Sequence, residues 1–396
     1  MFGTEKCQKV KKSGGWHYKM KVLHIISGGE VGGSKVHLLS LVSHSNCDEH
    51  IIVCLMDGKL YREAIEMGLD IRLIEQKNRF DLKVVDDIAR ICRDDEVDIV
   101  NCHGGRANFL AYFLKKKMKK PFVTTIHSDY LKDYEGNLFK TLVFSNINRV
   151  VLKHFDYYIA VSDEFKRMLV ERGFNENKIF VVYNGIDFGN ALFKVDKDEV
   201  LEKYGIFETS KYVSIVARLH PIKGHKFLFE AIKLILQEFD DVTFLIIGDG
   251  ALKQELIAYS KELKINHRVQ FLGYQKPDEL LSISNFAVLT SQSESFPLTI
   301  LEAAKFRKTV VSTDVGGVSK LIEDGVNGYL VNYGDVEELA EKILSLLRDD
   351  LKCFEFGQRL YEKAMENYSI EKFVEEYERI YNEILVPGKV LKNNIE

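Results

Sequence analysis

Two glutamates separated by seven residues, Glu294 and Glu302, bracket the stretch Ser295-Phe296-Pro297-Leu298-Thr299-Ile300-Leu301. Glu294 follows the apolar run Phe286–Ser291, and Pro297 suits the first turn of a helix, where its missing N–H costs nothing. The amides of Phe296, Leu298 and Thr299 can then face an anion. Glu302 falls about one turn further along an otherwise apolar helix. A carboxylate there needs a partner, and a sugar or ribose diol is one; the plainer reading is a Glu that complements the helix dipole. Upstream, Arg218 and Lys223 flank a turn in Ala217-Arg218-Leu219-His220-Pro221-Ile222-Lys223-Gly224. They can converge on a pyrophosphate, Arg as a fork and Lys as a point charge, or simply be solvated.

Three other segments could join them. Ser27-Gly28-Gly29-Glu30-Val31-Gly32-Gly33-Ser34 is glycine-rich and runs into a predicted helix, yet it is neither a G-x-G-x-x-G nor a P-loop. It is a phosphate-approaching loop or a tight turn. Gly248-Asp249-Gly250 is a second such turn. His103 (before Gly104-Gly105-Arg106) and His127 (before Ser128-Asp129) close two further predicted strands, and imidazole can donate to a hydroxyl or take its proton near neutral pH. Histidines at strand ends can equally be structural.

The elements that must position these residues alternate. Predicted strands at 21–27, 50–56, 70–76, 97–103, 122–127, 156–162 and 178–184 are each followed by segments with helical spacing of apolar residues. The rhythm lapses over the charged stretch 188–210 and restarts with strands at 212–218, 242–248, 269–273, 286–291, 309–313 and 328–331. Strands joined by crossover helices make parallel sheets, and two such series make an α/β protein of two Rossmann-like, doubly wound domains facing each other across a cleft. The expected division is a disordered extension over 1–19, an N-terminal domain over 20–190, a linker over 191–210 and a C-terminal domain over 211–369. Residues 370–396 would form a separate C-terminal helical segment.

The 396 residues, 46% apolar and 29% charged, give ample core for two domains and exclude intrinsic disorder. No apolar run approaches the roughly 18 residues of a membrane span. A net charge of −4 argues against a nucleic-acid partner. The six cysteines (Cys7, Cys47, Cys54, Cys92, Cys102, Cys353) include no C-x-x-C pair and no cluster with metal spacing, and with no secretory signal they point to a cytoplasmic protein without a structural metal.

Taken together, this chain resembles the retaining GT-B glycosyltransferases of family 4 from Met20 to about Leu385. Glu294 and Glu302 match that family's E-x7-E motif. Gly32-Gly33, His127, Asn184-Gly185-Ile186-Asp187, Arg218/Lys223, Gly248-Asp249-Gly250, Phe271-Leu272-Gly273, Gly316-Gly317 and Asp324-Gly325-Val326-Asn327-Gly328 follow in the family's order. One departure is Pro297, where many members have Gly; it cannot donate, so anion contacts fall to its neighbours.

The resemblance implies a nucleotide sugar, UDP- or GDP-linked, bound mainly by the C-terminal domain. Arg218 and Lys223 would neutralise the diphosphate, with Ser295, Phe296, Leu298 and Thr299 around it and Gly248 nearby. Glu294 would hold sugar hydroxyls, Glu302 the ribose, and Tyr274 the base. Gly32 and Gly33 would let the N-terminal domain close over the phosphates, and His127 would contact the transferred sugar. His127, Arg218, Lys223 and Glu294 are the expected catalytic set, with His103 and Arg106 on the acceptor side. The last helix would cross back onto the N-terminal domain.

The chemistry agrees. Breaking the sugar–phosphate bond leaves negative charge on the departing diphosphate, and two fixed cations beside a helix N-terminus are the stabilisers it needs. No divalent metal or other cofactor is then required. The only D-x-D, Asp196-Lys197-Asp198, sits in the charged stretch as a helix cap. Transfer with retention is expected, the acceptor hydroxyl attacking from the leaving-group face while the diphosphate takes its proton. The acceptor would be a sugar or a lipid-linked molecule in envelope polysaccharide or glycolipid assembly. Phe109–Lys120, with five lysines in its last six residues, could touch the inner face of a membrane, or be a solvated helix end. The rival readings are a sugar-nucleotide epimerase on the same fold, a nicotinamide dehydrogenase, which would lack its G-x-G-x-x-G, and a non-catalytic sugar-nucleotide-binding module.

Overall fold

The computed structural model describes residues 9–12, 15–18, 20–30, 32–45, 49–131, 146–189 and 195–386. The parts of the expected extension, linker and C-terminal tail at 1–8, 13–14, 19, 191–194 and 387–396 lie outside the described residues. The extension itself departs from expectation: β1 (Lys9–Lys12) and β2 (Gly15–Tyr18) pair as an antiparallel hairpin. Its signal in the sequence is a Ser-Gly pair at 13–14, a two-residue hairpin spacer between short β-prone stretches.

The chain divides into two units, one made of residues 1–184 with 370–396 and one of 185–369. The first is built on seven parallel strands: β3 (Lys21–Ile26), β4 (Glu49–Cys54), β5 (Ile71–Leu73), β6 (Ile99–His103), β7 (Phe122–Ile126), β8 (Tyr157–Ala160) and β9 (Ile179–Val181). Their order is β5-β4-β3-β6-β7-β8-β9. The second has β10 (Lys211–Val216), β11 (Val242–Ile247), β12 (Val269–Gly273), β13 (Phe286–Leu289), β14 (Val310–Thr313) and β15 (Tyr329–Val331). These run in the order β12-β11-β10-β13-β14-β15. Near-continuous runs such as Val-Leu-His-Ile-Ile and Phe-Leu-Ile-Ile suit strands covered on both faces.

In each sheet the order reverses at one place, between β3 and β6 and between β10 and β13. Ligands of open α/β sheets bind beyond the carboxyl ends of the strands at such switch points. The loops there carry Gly28–Gly33 and His103–Arg106 in the first unit, and Arg218–Lys223 and Glu294 in the second.

Two boundaries differ from the expectation or refine it. The charged stretch 191–210 is not a separate linker. Its helix Lys197–Tyr204, capped by the Asp196 side chain, buries Val200 and Leu201 with Ile206 against Tyr212, Leu245, Ile247 and Leu280 of the second unit. Three buried apolar side chains amid the charges suffice to dock it. The helix Ile370–Leu385 belongs to the first unit, where Phe373, Val374, Tyr377, Ile380 and Tyr381 pack on Val22, Ile99, Val123 and Ile159.

Candidate active site

In the second unit the chain leaves β10 through Arg218 and passes a short turn, Pro221–Lys223, whose start is capped by the His220 side chain. It then enters the helix His225–Ile235 through Gly224. Gly224 has φ +66°, and a Cβ there would sit 1.9 Å from the Thr290 carbonyl oxygen; at Gly248 one would sit 1.9 Å from that of Ala217. These two glycines therefore pull the loops after β10, β11 and β13 onto one another.

The contact they make possible is ionic. Lys223 Nζ donates to Glu294 Oε1 at 2.5 Å, and Ser291 Oγ donates to the same oxygen at 2.6 Å. Both partners are largely buried, with side chains 18% and 12% exposed. Arg218 is exposed. Just past Glu294, Pro297 is the N-cap of the helix Leu298–Lys305; the Ile300 amide donates to the Pro297 carbonyl at 3.2 Å, while the amides of Leu298 and Thr299 come too early for an acceptor within the helix. Thr299 Oγ1 is buried and has no hydrogen-bond partner among the described residues. Gly317 packs against this loop, where a Cβ would come within 2.5 Å of the Ser295 carbonyl oxygen. Phe296 is buried and its ring lies 5.1 Å from that of Tyr368. Glu302 is half-buried on the same helix, and desolvation, aided by the Asp278 carboxylate and opposed by Lys305, pushes its carboxyl up to about 7. Tyr274, just beyond β12, is 74% exposed.

In the first unit, Gly32 (φ +100°) starts the helix Gly33–His44, and a Cβ at either Gly32 or Gly33 would meet nothing within 4 Å. The loop before them is braced by Glu30, whose carboxylate accepts from the amides of Ser27 and Gly28. Val31 lies outside the described residues. His127 is half-buried at the end of β7, and its Nε2 lies 3.0 Å from His103 Nδ1.

The two residues expected on the acceptor side both have partners within the first unit. His103 is buried with both ring nitrogens engaged, by His24 and His127, so it supports His127 from behind. Arg106 is held by Gln76, Nε donating to Oε1 at 2.6 Å and Nη2 to the carbonyl at 3.0 Å. Its guanidinium thus ties the loop after β6 to that after β5, with Nη1 3.5 Å from Ser27 Oγ in the loop after β3.

Sequence reasoning missed His24, His37 and His50. His37 joins Asn184 through Nδ1 and Tyr377 through Nε2 and meets His127 edge-on at 4.8 Å. His24 links His50 and His103. Burial pushes His24, His103 and His127 well below the usual imidazole range, and His37 and His50 down to about 4, so all five are neutral at pH 7. The available signal was a histidine in or just after each of four strands, which reads as pattern only once the strand order is known.

The basic segment after Phe109 is largely neutralised within the fold. Lys115 donates to Asp156 at 2.6 Å, Lys117 pairs with Asp86, and Lys120 lies 3.9 Å from Asp98. Among the described residues no helix is long and apolar enough to cross a membrane.

Comparison with known proteins covers both units. Residues 31–189 match the family model described as Glycosyltransferase Family 4, and residues 196–366 that described as Glycosyl transferases group 1. The N-acetyl-alpha-D-glucosaminyl L-malate synthase of Bacillus anthracis is 30% identical over 314 residues, spanning 78% of this chain and 81% of that protein. The UDP-Gal:alpha-D-GlcNAc-diphosphoundecaprenol alpha-1,3-galactosyltransferase of Escherichia coli is 24% identical over 313 residues, 77% of this chain and 80% of that one. Among solved structures, Anabaena HepE in complex with UDP superposes with a TM-score of 0.80 at 21% identity, covering 92% of this chain and all of that one, a likeness of fold.

Proposed function

Because the chain belongs to the family 4 glycosyltransferases of GT-B fold, enzymes that move a sugar from a nucleotide-sugar donor to an acceptor, we propose that it transfers a hexose from a UDP-sugar with retention and without a metal. The observation that carries the site assignment is the largely buried Lys223–Glu294 pair beside the N-terminus of Leu298–Lys305.

In this reading Arg218, Lys223 and the amides of Leu298 and Thr299 receive the charge that develops on the leaving diphosphate. Two fixed cations and a helix N-terminus fill the role a divalent ion would otherwise take. Glu294, oriented by Lys223 and Ser291, accepts from sugar hydroxyls. Glu302 accepts from the ribose diol, and the unpartnered Thr299 hydroxyl supports a ligand at this helix start. Gly248 leaves backbone room, and Tyr274 offers an exposed ring for the base. From the first unit, Gly32 and Gly33 offer unobstructed backbone to the phosphates, and His127 a hydrogen bond to the transferred sugar. The acceptor hydroxyl attacks the anomeric carbon on the leaving-group face, and a diphosphate oxygen takes its proton as the sugar–phosphate bond breaks.

The UDP assignment is supported by the relatives, one of which is named for UDP-Gal and one of which is solved with UDP. The acceptor is read as a hydroxyl-bearing sugar or small acid, in line with relatives named for a diphosphoundecaprenol-linked sugar and for malate. A thermal-shift series with UDP-, GDP- and ADP-sugars, each with and without EDTA, tests the donor. At about 100 times Kd a true donor adds about 2.7 kcal/mol of stability. Stabilisation by UDP-sugars that survives EDTA is expected; a requirement for divalent metal would overturn the metal-free reading. The anomeric configuration of the product, read by proton NMR, tests retention.

A further inference from the structure

His127 is the outer end of a line of four imidazoles. His50 Nδ1 lies 2.9 Å from His24 Nε2, His24 Nδ1 lies 3.1 Å from His103 Nε2, and His103 Nδ1 lies 3.0 Å from His127 Nε2. The line is a diagonal across four adjacent parallel strands. His50 of β4 is level with Val22, two residues before His24. His24 of β3 is level with Asn101, two before His103, and His103 of β6 is level with Thr125, two before His127. A stagger of two residues keeps every ring on the same face of the sheet.

Neutral imidazole has one N–H and one bare nitrogen. Each of the three N···N links needs one hydrogen, no more and no fewer. A histidine that donates in one direction must therefore be followed by one that donates in the same direction, or a link holds two hydrogens or none. Only two arrangements satisfy all three links: every ring protonated on Nδ1, or every ring protonated on Nε2. They differ at the ends. The second buries an N–H at His50 Nε2, an atom with no hydrogen-bond partner among the described residues. The first leaves only a bare nitrogen there, and buried donors are left unpaired more rarely than acceptors.

We infer that His50, His24 and His103 act as positioning residues that hold His127 in the Nδ1–H form, so that its remaining nitrogen presents a donor to the substrate. The inference rests on the reading that His127 touches the transferred sugar. It adds what that contact is: a hydrogen bond given by His127 to a sugar oxygen, with its direction set at the far side of the sheet. Burial keeps the four rings neutral, which is the condition for the counting to hold.

The full chain labelled with 15N-histidine tests this by imidazole NMR at pH 7.5. All four rings are expected as Nδ1–H, the tautomer that free histidine disfavours. A mixture among the four, a uniform Nε2–H pattern or an imidazolium ring would overturn the inference. A pair of variants supplies the functional readout. His103→Gln can accept from His24 through its carbonyl and donate to His127 through its amide, whereas His103→Leu can do neither. The Leu variant is expected to lose at least about tenfold in kcat with donor KM within twofold, and the Gln variant to recover most of it. Equal activity in the two would reduce His103 to packing and overturn the positioning role. The imidazole spectra need no turnover, so a broken chain is told apart from a His127 that plays no part in transfer.

Discussion

Lys223 and Glu294, 71 residues apart in sequence, share one largely buried hydrogen bond of 2.5 Å between Nζ and Oε1. Neither is an isolated charge waiting for ligand: each orients the other, and Ser291 fixes the carboxylate from a second side. Removing one partner leaves a charge short of its counter-ion in a poorly solvated place, which typically costs about 3 kcal/mol or more. Lys223→Ala and Glu294→Ala should therefore each lower both the melting temperature and kcat/KM, the latter by about a hundredfold or more. The double variant Lys223→Met/Glu294→Gln should regain much of the stability and none of the activity. Calorimetry alongside steady-state kinetics separates the two effects, and full turnover in either single variant would dismiss the assignment.

Glu302 gives a pH signature. Its folded pKa is about 7 against an ordinary 4.5, so between these values the folded protein holds a proton that the unfolded chain has released. Stability of the free protein should then fall as pH rises from about 4.5 to 7. Glu302→Gln should remove that part of the slope, making the protein more stable than the parent at pH 8 and no more stable at pH 4. If the carboxylate accepts from ribose hydroxyls, UDP affinity should rise through pH 7 in the parent and stay flat in the Gln variant. Isothermal titration at pH 6 and pH 8 reads this directly.

The glycines divide into two groups. A Cβ at Gly248 or Gly224 would overlap a carbonyl oxygen, and both lie at positive φ. Gly248→Ala and Gly224→Ala should misfold or lose several degrees of melting temperature. Gly33 has neither constraint, since its Cβ would meet nothing and its φ is ordinary for a helix start. Gly33→Ala should fold like the parent and raise donor KM, because the only thing left for the methyl group to obstruct is the ligand. An unchanged KM would remove Gly33 from the donor contacts.

The basic segment leads to a negative expectation. With Lys115, Lys117 and Lys120 facing Asp156, Asp86 and Asp98, only Lys116 and Lys119 of that run have no carboxylate partner among the described residues. At about 1 kcal/mol per lysine near an anionic surface, two give little attraction. Co-sedimentation with phosphatidylglycerol vesicles at low salt should be negligible. Pelleting that is abolished by neutralising residues 115–117 and 119–120 would establish the membrane contact instead.

Much of this is legible in the sequence. Strand runs such as Val-Thr-Phe-Leu-Ile-Ile and the glycine punctuation after them locate both sheets, because burial on two faces leaves a continuous apolar signature. The residues after β10 and β13 could be picked out because ligands of parallel α/β sheets sit beyond the carboxyl ends of the strands. What escaped was whatever depends on strand order. His24 and His50 look like ordinary core positions until β4, β3, β6 and β7 are laid side by side with a two-residue stagger. Arg106 and His103 have the chemistry of ligand contacts, and only Gln76 and His24, distant in sequence, show them to be occupied. The stretch at 191–210 misled through its charge, which hid Val200 and Leu201 on the one face that docks.

The seating of Ile370–Leu385 against β3, β6, β7 and β8 also sets an order in time. A ribosome delivers residues 1–184 first, but Val22, Ile99, Val123 and Ile159 stay without their cover until the last helix has emerged. The second unit, continuous from 185 to 369, can close as soon as it is made. The half of the molecule that is synthesised first is thus the half that finishes folding last.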